Sequence, residues 1–139
     1  MKFLGAPYPI IKHPRGLLRT QSGIDQVKSD MLSLLLTTPG ERVMLPEFGT
    51  PLKELMFDPN DPTTVDKARE MIIKSLDMWE PRVTIDQIDI TNGLPEEDLN
   101  PEDDMSQREH ILGIKIKFYD PDNISDVQEL KLEIPLTGE

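Results

Sequence analysis

Residues 71–90 read MIIKSLDMWEPRVTIDQIDI, and a change of rhythm inside this stretch decides the fold. Up to Trp79 the apolar residues recur at helical spacing; from Val83 they alternate as in a strand. Between the two stands the triplet Glu80, Pro81, Arg82. Pro81 has no backbone N–H to donate, and its ring disfavours helix at Glu80, so the helix is expected to stop there. In an extended segment alternate side chains share a side, which places Glu80 and Arg82 together near the bulk of Trp79. Spacing alone favours the plainer of two readings: a helix stop with an incidental surface ion pair, which is worth little. The other reading is a recognition corner with two opposite charges at a fixed separation.

Upstream, the stripe Val65, Ala68, Met71, Ile72, Leu76 and Trp79 predicts a long helix. Asp61 is placed to cap it, with Pro62 at the first position, where a missing N–H costs nothing. Downstream, Val83 and Ile85 fall on odd positions, Ile88 and Ile90 on even ones. A bulge near Asp86 and Gln87 would restore the phase of one buried face. Further on, Leu112, Ile114, Ile116 and Phe118 alternate with lysines, and Leu130, Leu132, Ile134 and Leu136 alternate with Glu129, Lys131 and Glu133. These runs predict an antiparallel hairpin with one buried face and opposite charges able to pair across strands.

Nearer the N-terminus, Ser22 with Asp25 three residues later resembles a capping box. Ile24, Val27, Met31, Leu34 and Leu35 then mark the buried stripe of a first helix ending near Thr37 and Thr38, with Gln26, Lys28, Ser29, Asp30 and Ser33 on the opposite face. Residues 38–58, TPGERVMLPEFGTPLKELMFD, follow. Pro39 and Gly40 signal a turn. Val43 to Leu45 is expected as a short strand, Phe48 as a plug of the core, and Leu52, Leu55 and Met56 as a short helix, with Phe57 as a further buried anchor. Residues 1–20, with Pro7, Pro9 and Pro14, are read as an arm or edge strand in which the pairs at 10–11 and 17–18 can pack on the body. Residues 91–110 form a polar excursion; its segment 96–104 (EEDLNPEDD) holds six carboxylates and no basic residue. The whole is one domain over residues 1–139: α+β, with two helices on one face of a small, mainly antiparallel sheet.

A chain of 139 residues, 37% hydrophobic and 29% charged, can enclose a real core. Fifteen basic residues against 26 acidic ones, a net charge of −11, argue against a general nucleic-acid binder and against docking to an anionic membrane. No apolar run reaches membrane-spanning length, and the N-terminal run is too short and proline-broken for a signal peptide. Without cysteine there is no disulfide framework and no thiolate metal site. His13 and His110 lack partners at metal-ligand spacing, and no phosphate loop or nucleophile elbow is present, so no cofactor, metal or catalytic residue is assigned. The enzyme reading worth testing is an acid-pair hydrolase, for which Glu41, Glu47 and Glu80 are the conceivable carboxylates. The acidity also suits a free-standing acidic binding module or inhibitor.

Three segments taken together change the balance: residues 35–58, the WEPRV at 79–83, and the strands after it. Pro39, Gly40, Glu41 and Arg42, then Pro46, Glu47, Phe48 and Gly49, and finally Trp79 before Glu80, Pro81 and Arg82 form a specific set. The set resembles the small baseplate wedge protein family of contractile-tailed phages, with counterparts in type VI secretion baseplates and phage-like bacteriocins. That resemblance implies a non-enzymatic structural protein of the virion tail baseplate, assembled in the host cytoplasm. It implies a fold similar to the strand-exchanging domain of tail sheath subunits, and several copies around a sixfold axis on the tube-proximal side. It implies that Glu80, Pro81 and Arg82 hold the helical bundle of the larger wedge proteins, and that sheath subunits join by strand exchange to begin the first ring. A muramidase-like cell-wall hydrolase of the tail is the alternative.

Overall fold

The computed structural model describes residues 4–59, 61–92 and 111–136. In chain order the elements are β1 (Leu4–Gly5), β2 (Gln21–Ser22), α1 (Ile24–Leu36), a 3-10 helix (Pro51–Phe57), α2 (Pro62–Trp79), β3 (Thr84–Asn92), β4 (Ile111–Asp120) and β5 (Asn123–Pro135). The acidic segment 96–104 and His110 lie outside the described residues, while Thr91 and Asn92, assigned above to the polar excursion, complete β3.

The main sheet is an antiparallel meander in the order β3-β4-β5. Even-numbered residues of β4 and β5 meet across the ladder, Ile116 opposite Leu130 and Leu112 opposite Ile134. They form one buried face, whose largest member, Phe118, is fully enclosed. The register of β3 slips between Ile85 and Gln87, leaving Asp86 as the extra residue. This is the bulge that the odd-to-even change demanded: Ile85 faces Phe118, and Ile88 and Ile90 face Ile116 and Ile114. On the polar face Lys115 reaches Glu129 diagonally at 3.3 Å, although its direct cross-strand neighbour is Lys131.

The two helices contribute Val27, Met31, Leu34 and Leu35 from α1 and Ala68, Ile72 and Leu76 from α2 to the same core. Asp61 caps α2 as the sequence indicates, its Oδ1 accepting from the Thr64 N–H at 2.9 Å, with Pro62 in the first turn.

The Ser22–Asp25 capping box does not form, because Ser22 is extended in β2, paired with Leu4. Gly23, at φ 73°, makes the corner into α1 instead and offers no side chain to cap it. Gln26 and Ser29 are buried rather than on an open polar face, because β1 lies against Gln26 and β2 against Ser29. The Ser29 hydroxyl donates to Gln21 Oε1 at 2.8 Å, and a Cβ on Gly5 would meet the Gln26 side chain at 2.5 Å. Within the arm a short bridge joins Lys12 and Leu18, but Ile10, Ile11, Leu17 and Leu18 are exposed and do not pack on the body. Val43 to Leu45 is not a strand; it is the exposed tip of a closed loop. Phe57 is 79% exposed. With three residues per 3-10 turn, Leu52 and Leu55 share the buried side and Phe57 falls off it.

Candidate functional site

The end of α2 sets the geometry of the site. Glu80 caps the helix with φ −126° and ψ 68°, and its N–H still donates to Leu76 O at 2.8 Å. Pro81 forbids another turn. The Glu80 side chain points inward and is only 4% exposed. A buried carboxylate is costly unless it is paired and hydrogen-bonded. Arg82 supplies both conditions: its Nε donates to Glu80 Oε1 at 2.6 Å and its Nη2 to Glu80 Oε2, a forked contact. The same Nη2 donates to Asp30 Oδ2 of α1 at 2.7 Å. Hydrogen bonds from the guanidinium to Glu80, and then to Asp30, raise the Arg82 pKa against its partial burial. Arg82 therefore ties the C-terminus of α2 to the flank of α1. The sequence carries no signal for Asp30: it looks like any acid on a polar helix face, 52 residues from its partner.

The proline- and glycine-rich loop completes the site. Gly40 N–H donates to Pro46 O at 2.7 Å and Phe48 N–H to Leu45 O at 3.1 Å, closing the loop on itself. Its exit is fixed by Gly49, at φ +130°, where a Cβ would collide with Thr37 O. Thr50 N–H donates to that same carbonyl at 2.9 Å, and the Thr50 hydroxyl to Leu34 O at 3.3 Å, which satisfies carbonyls at the end of α1. Glu41 accepts from Lys53 Nζ at 2.8 Å and from Thr38 N–H at 3.1 Å. These two donors, Lys53 first, lower the pKa of its carboxyl.

Phe48 is half-buried against the core instead of plugging it fully. Its ring meets Trp79 edge-on, centroids 5.4 Å apart at 68°, and the Arg42 guanidinium lies 4.0 Å from the centre of the Phe48 ring. The two motifs singled out in the sequence, the loop and the Glu-Pro-Arg corner, thus meet. Arg42, Phe48, Trp79, Glu80, Arg82 and Asp30 line one cavity of about 230 Å³. On the other side of Trp79 a groove of about 280 Å³ runs between the loop and α2, lined by Pro39, Glu47, Gly49, Met71 and Met78 among others.

The three candidate acids do not converge. Glu80 lines the cavity and is bound by Arg82; Glu47 lines the groove beyond Trp79; Glu41 is exposed and bound to Lys53. Among the described residues no cluster of three His, Cys, Asp or Glu can hold a metal ion, and no helix is long and apolar enough to cross a membrane. His13 accepts a hydrogen bond from Arg15 N–H at 3.2 Å within the arm. An arrangement of paired charges, a stacked arginine and shallow hollows is suited to holding a surface.

Residues 21–118 match the family model described as baseplate wedge protein gp25. The chain is 29% identical over 112 residues to baseplate wedge protein gp25 of Enterobacteria phage T4, covering 81% of this chain and 75% of that protein. Three solved structures share the fold. One from Geobacter sulfurreducens, described as a tail lysozyme, aligns with TM-score 0.67 and 21% identity, covering 84% of this chain and 94% of that one. The sixfold-symmetrised baseplate of the anti-feeding prophage aligns with TM-score 0.62 and 15% identity over 98% and 87% of the two chains. The post-contraction baseplate of pyocin R2 aligns with TM-score 0.50 and 20% identity over 91% and 97%.

Proposed function

The chain belongs to the baseplate wedge protein gp25 family, and from that premise we propose that it joins the helical bundle of the larger wedge proteins to the first sheath ring and nucleates sheath assembly. It is a structural component of a contractile-tail baseplate and associates there with other baseplate proteins. It works by binding alone, in several copies around a sixfold axis on the tube side, and is assembled in the host cytoplasm.

The observation that carries this reading is the locked corner. Glu80 and Asp30 hold the Arg82 guanidinium in one orientation, beside the Arg42–Phe48–Trp79 stack. A surface fixed before contact loses little entropy when a partner arrives. The Arg82 side chain keeps 28% exposure, and Pro81 is exposed beside it. The bundle meets a ridge of Trp79, Pro81 and Arg82, with buried Glu80 fixing Arg82 from beneath and the loop from Pro39 to Gly49 as its support. Sheath subunits add at the main sheet. Among the described residues neither the outer edge of β3 nor that of β5 has a strand partner. An extended segment can pair there through main-chain hydrogen bonds with little demand on side-chain identity.

The test is reconstitution with the purified larger wedge proteins and sheath subunits. Arg82→Ala, with retained fold verified by circular dichroism, is expected to lose bundle binding; undiminished assembly would remove the corner's role. The fold shared with the Geobacter sulfurreducens structure that carries the description of a tail lysozyme favours one second reading, a muramidase-like hydrolase. Against it stands the scatter of Glu41, Glu47 and Glu80, since an acid pair must face one substrate bond. Purified protein that cleaves peptidoglycan at acidic or neutral pH would establish the hydrolase instead.

A further inference from the structure

We propose that residues 43–45 form an apolar finger that seats in a notch between two helices of the same wedge bundle, apolar at its floor and carrying charges of both signs at its rim. This rests on the reading that the bundle covers the Glu-Pro-Arg corner. Val43 is 92% exposed, Met44 93% and Leu45 40%. Single exposed apolar residues are ordinary, but here consecutive ones stand at the tip of an ordered loop. The loop is closed by the Gly40–Pro46 and Leu45–Phe48 backbone bonds, braced at Glu41 by Lys53 and Thr38, and fixed at its exit by Gly49. None of these restraints hides the tip from water. They hold it in one shape, which lowers the ordering cost of inserting it into a partner.

The occupant follows from continuity and charge. Arg42, the residue before the finger, lines the corner cavity together with Glu80 and Arg82. A helical bundle lying on that corner therefore runs on to the finger. With Val43 and Met44 open to water over more than nine-tenths of their surface, a groove between two helices covers more of the tip than the flank of one. Exposed Arg42 on one side of the finger and exposed Glu47 on the other favour a groove whose rim carries charges of both signs.

The chain has no cysteine, so Met44→Cys provides a single attachment point for an environment-sensitive dye. The labelled protein is titrated with the purified larger wedge proteins, beside unlabelled wild type, Arg82→Ala and the double variant Val43→Ser/Met44→Ser. The finger requires a blue shift of the dye on binding. It also requires a loss of affinity in the double variant of about ten- to a hundredfold, with an unchanged melting temperature because both side chains are exposed. An unshifted dye and wild-type affinity in the double variant, with Arg82→Ala still weakened, would overturn the finger and leave the corner standing. A weakened double variant with undiminished Arg82→Ala binding would support the finger and remove the corner. Absence of wild-type binding would overturn both.

Discussion

Arg82 does two jobs with one guanidinium: it neutralises a carboxylate that α2 buries, and it bolts α2 to α1 through Asp30. Removing it leaves Glu80 buried without its cation, a defect more damaging than the pair is stabilising. Arg82→Ala should lower stability by about 2–3 kcal/mol, less than a fully buried pair because Arg82 is partly solvated. Urea denaturation measures this, and a loss under 0.5 kcal/mol, about the level of an ordinary surface substitution, would show that the fork carries no load. Arg82→Lys keeps the charge but not the fork, and should recover only part of the loss. Glu41 has a pH signature. Its folded-state pKa lies below the ordinary 4.5, so its bracing of the loop is present above that value. The bracing is lost as pH falls through the lowered folded value. Amide exchange at Thr38, whose N–H donates to Glu41, should accelerate over that acidic window relative to a reference amide in β4; a flat ratio would contradict the bond.

At the scale of elements, local chemistry decided some boundaries and tertiary contacts decided others. Asp61 and Pro62 start α2 by means that act within one turn, and both were legible in the sequence. Asp61→Ala removes the acceptor for Thr64 N–H and should cost about 1 kcal/mol, a fall in melting temperature of roughly 3–5 °C. No measurable change would mean that α2 is set by packing alone. The β3 bulge was legible as well, because strand periodicity admits no other way to put Ile85 and Ile88 on one face, and Asp86 and Asp89 speak against a strand buried on both. Ser22 was misread because the arm pairs with it, a contact invisible from the local pattern. Phe57 was misread because a 3-10 turn, not an α turn, carries Leu52 and Leu55. Val43 to Leu45 looked like a strand because apolarity marks a surface destined for burial without saying in which molecule. The loop and the corner were each conspicuous in sequence; their meeting through Phe48 and Trp79, and the part played by Asp30, needed three dimensions.

At the scale of the molecule, one small body presents two kinds of surface. The helical side offers the locked corner with its aromatic stack, and the sheet offers backbone along β3 and β5 with no strand partner among the described residues. Such an arrangement suits a joint between two assemblies, one gripped by side chains and the other by main chain. The most direct measurement is hydrogen–deuterium exchange of this chain, free and then within a complex reconstituted from the larger wedge proteins and sheath subunits. Slowed exchange is expected at residues 79–82 when the wedge proteins join, and along β3 or β5 when sheath is added. Exchange unchanged in both regions, in a complex that has demonstrably formed, would contradict it.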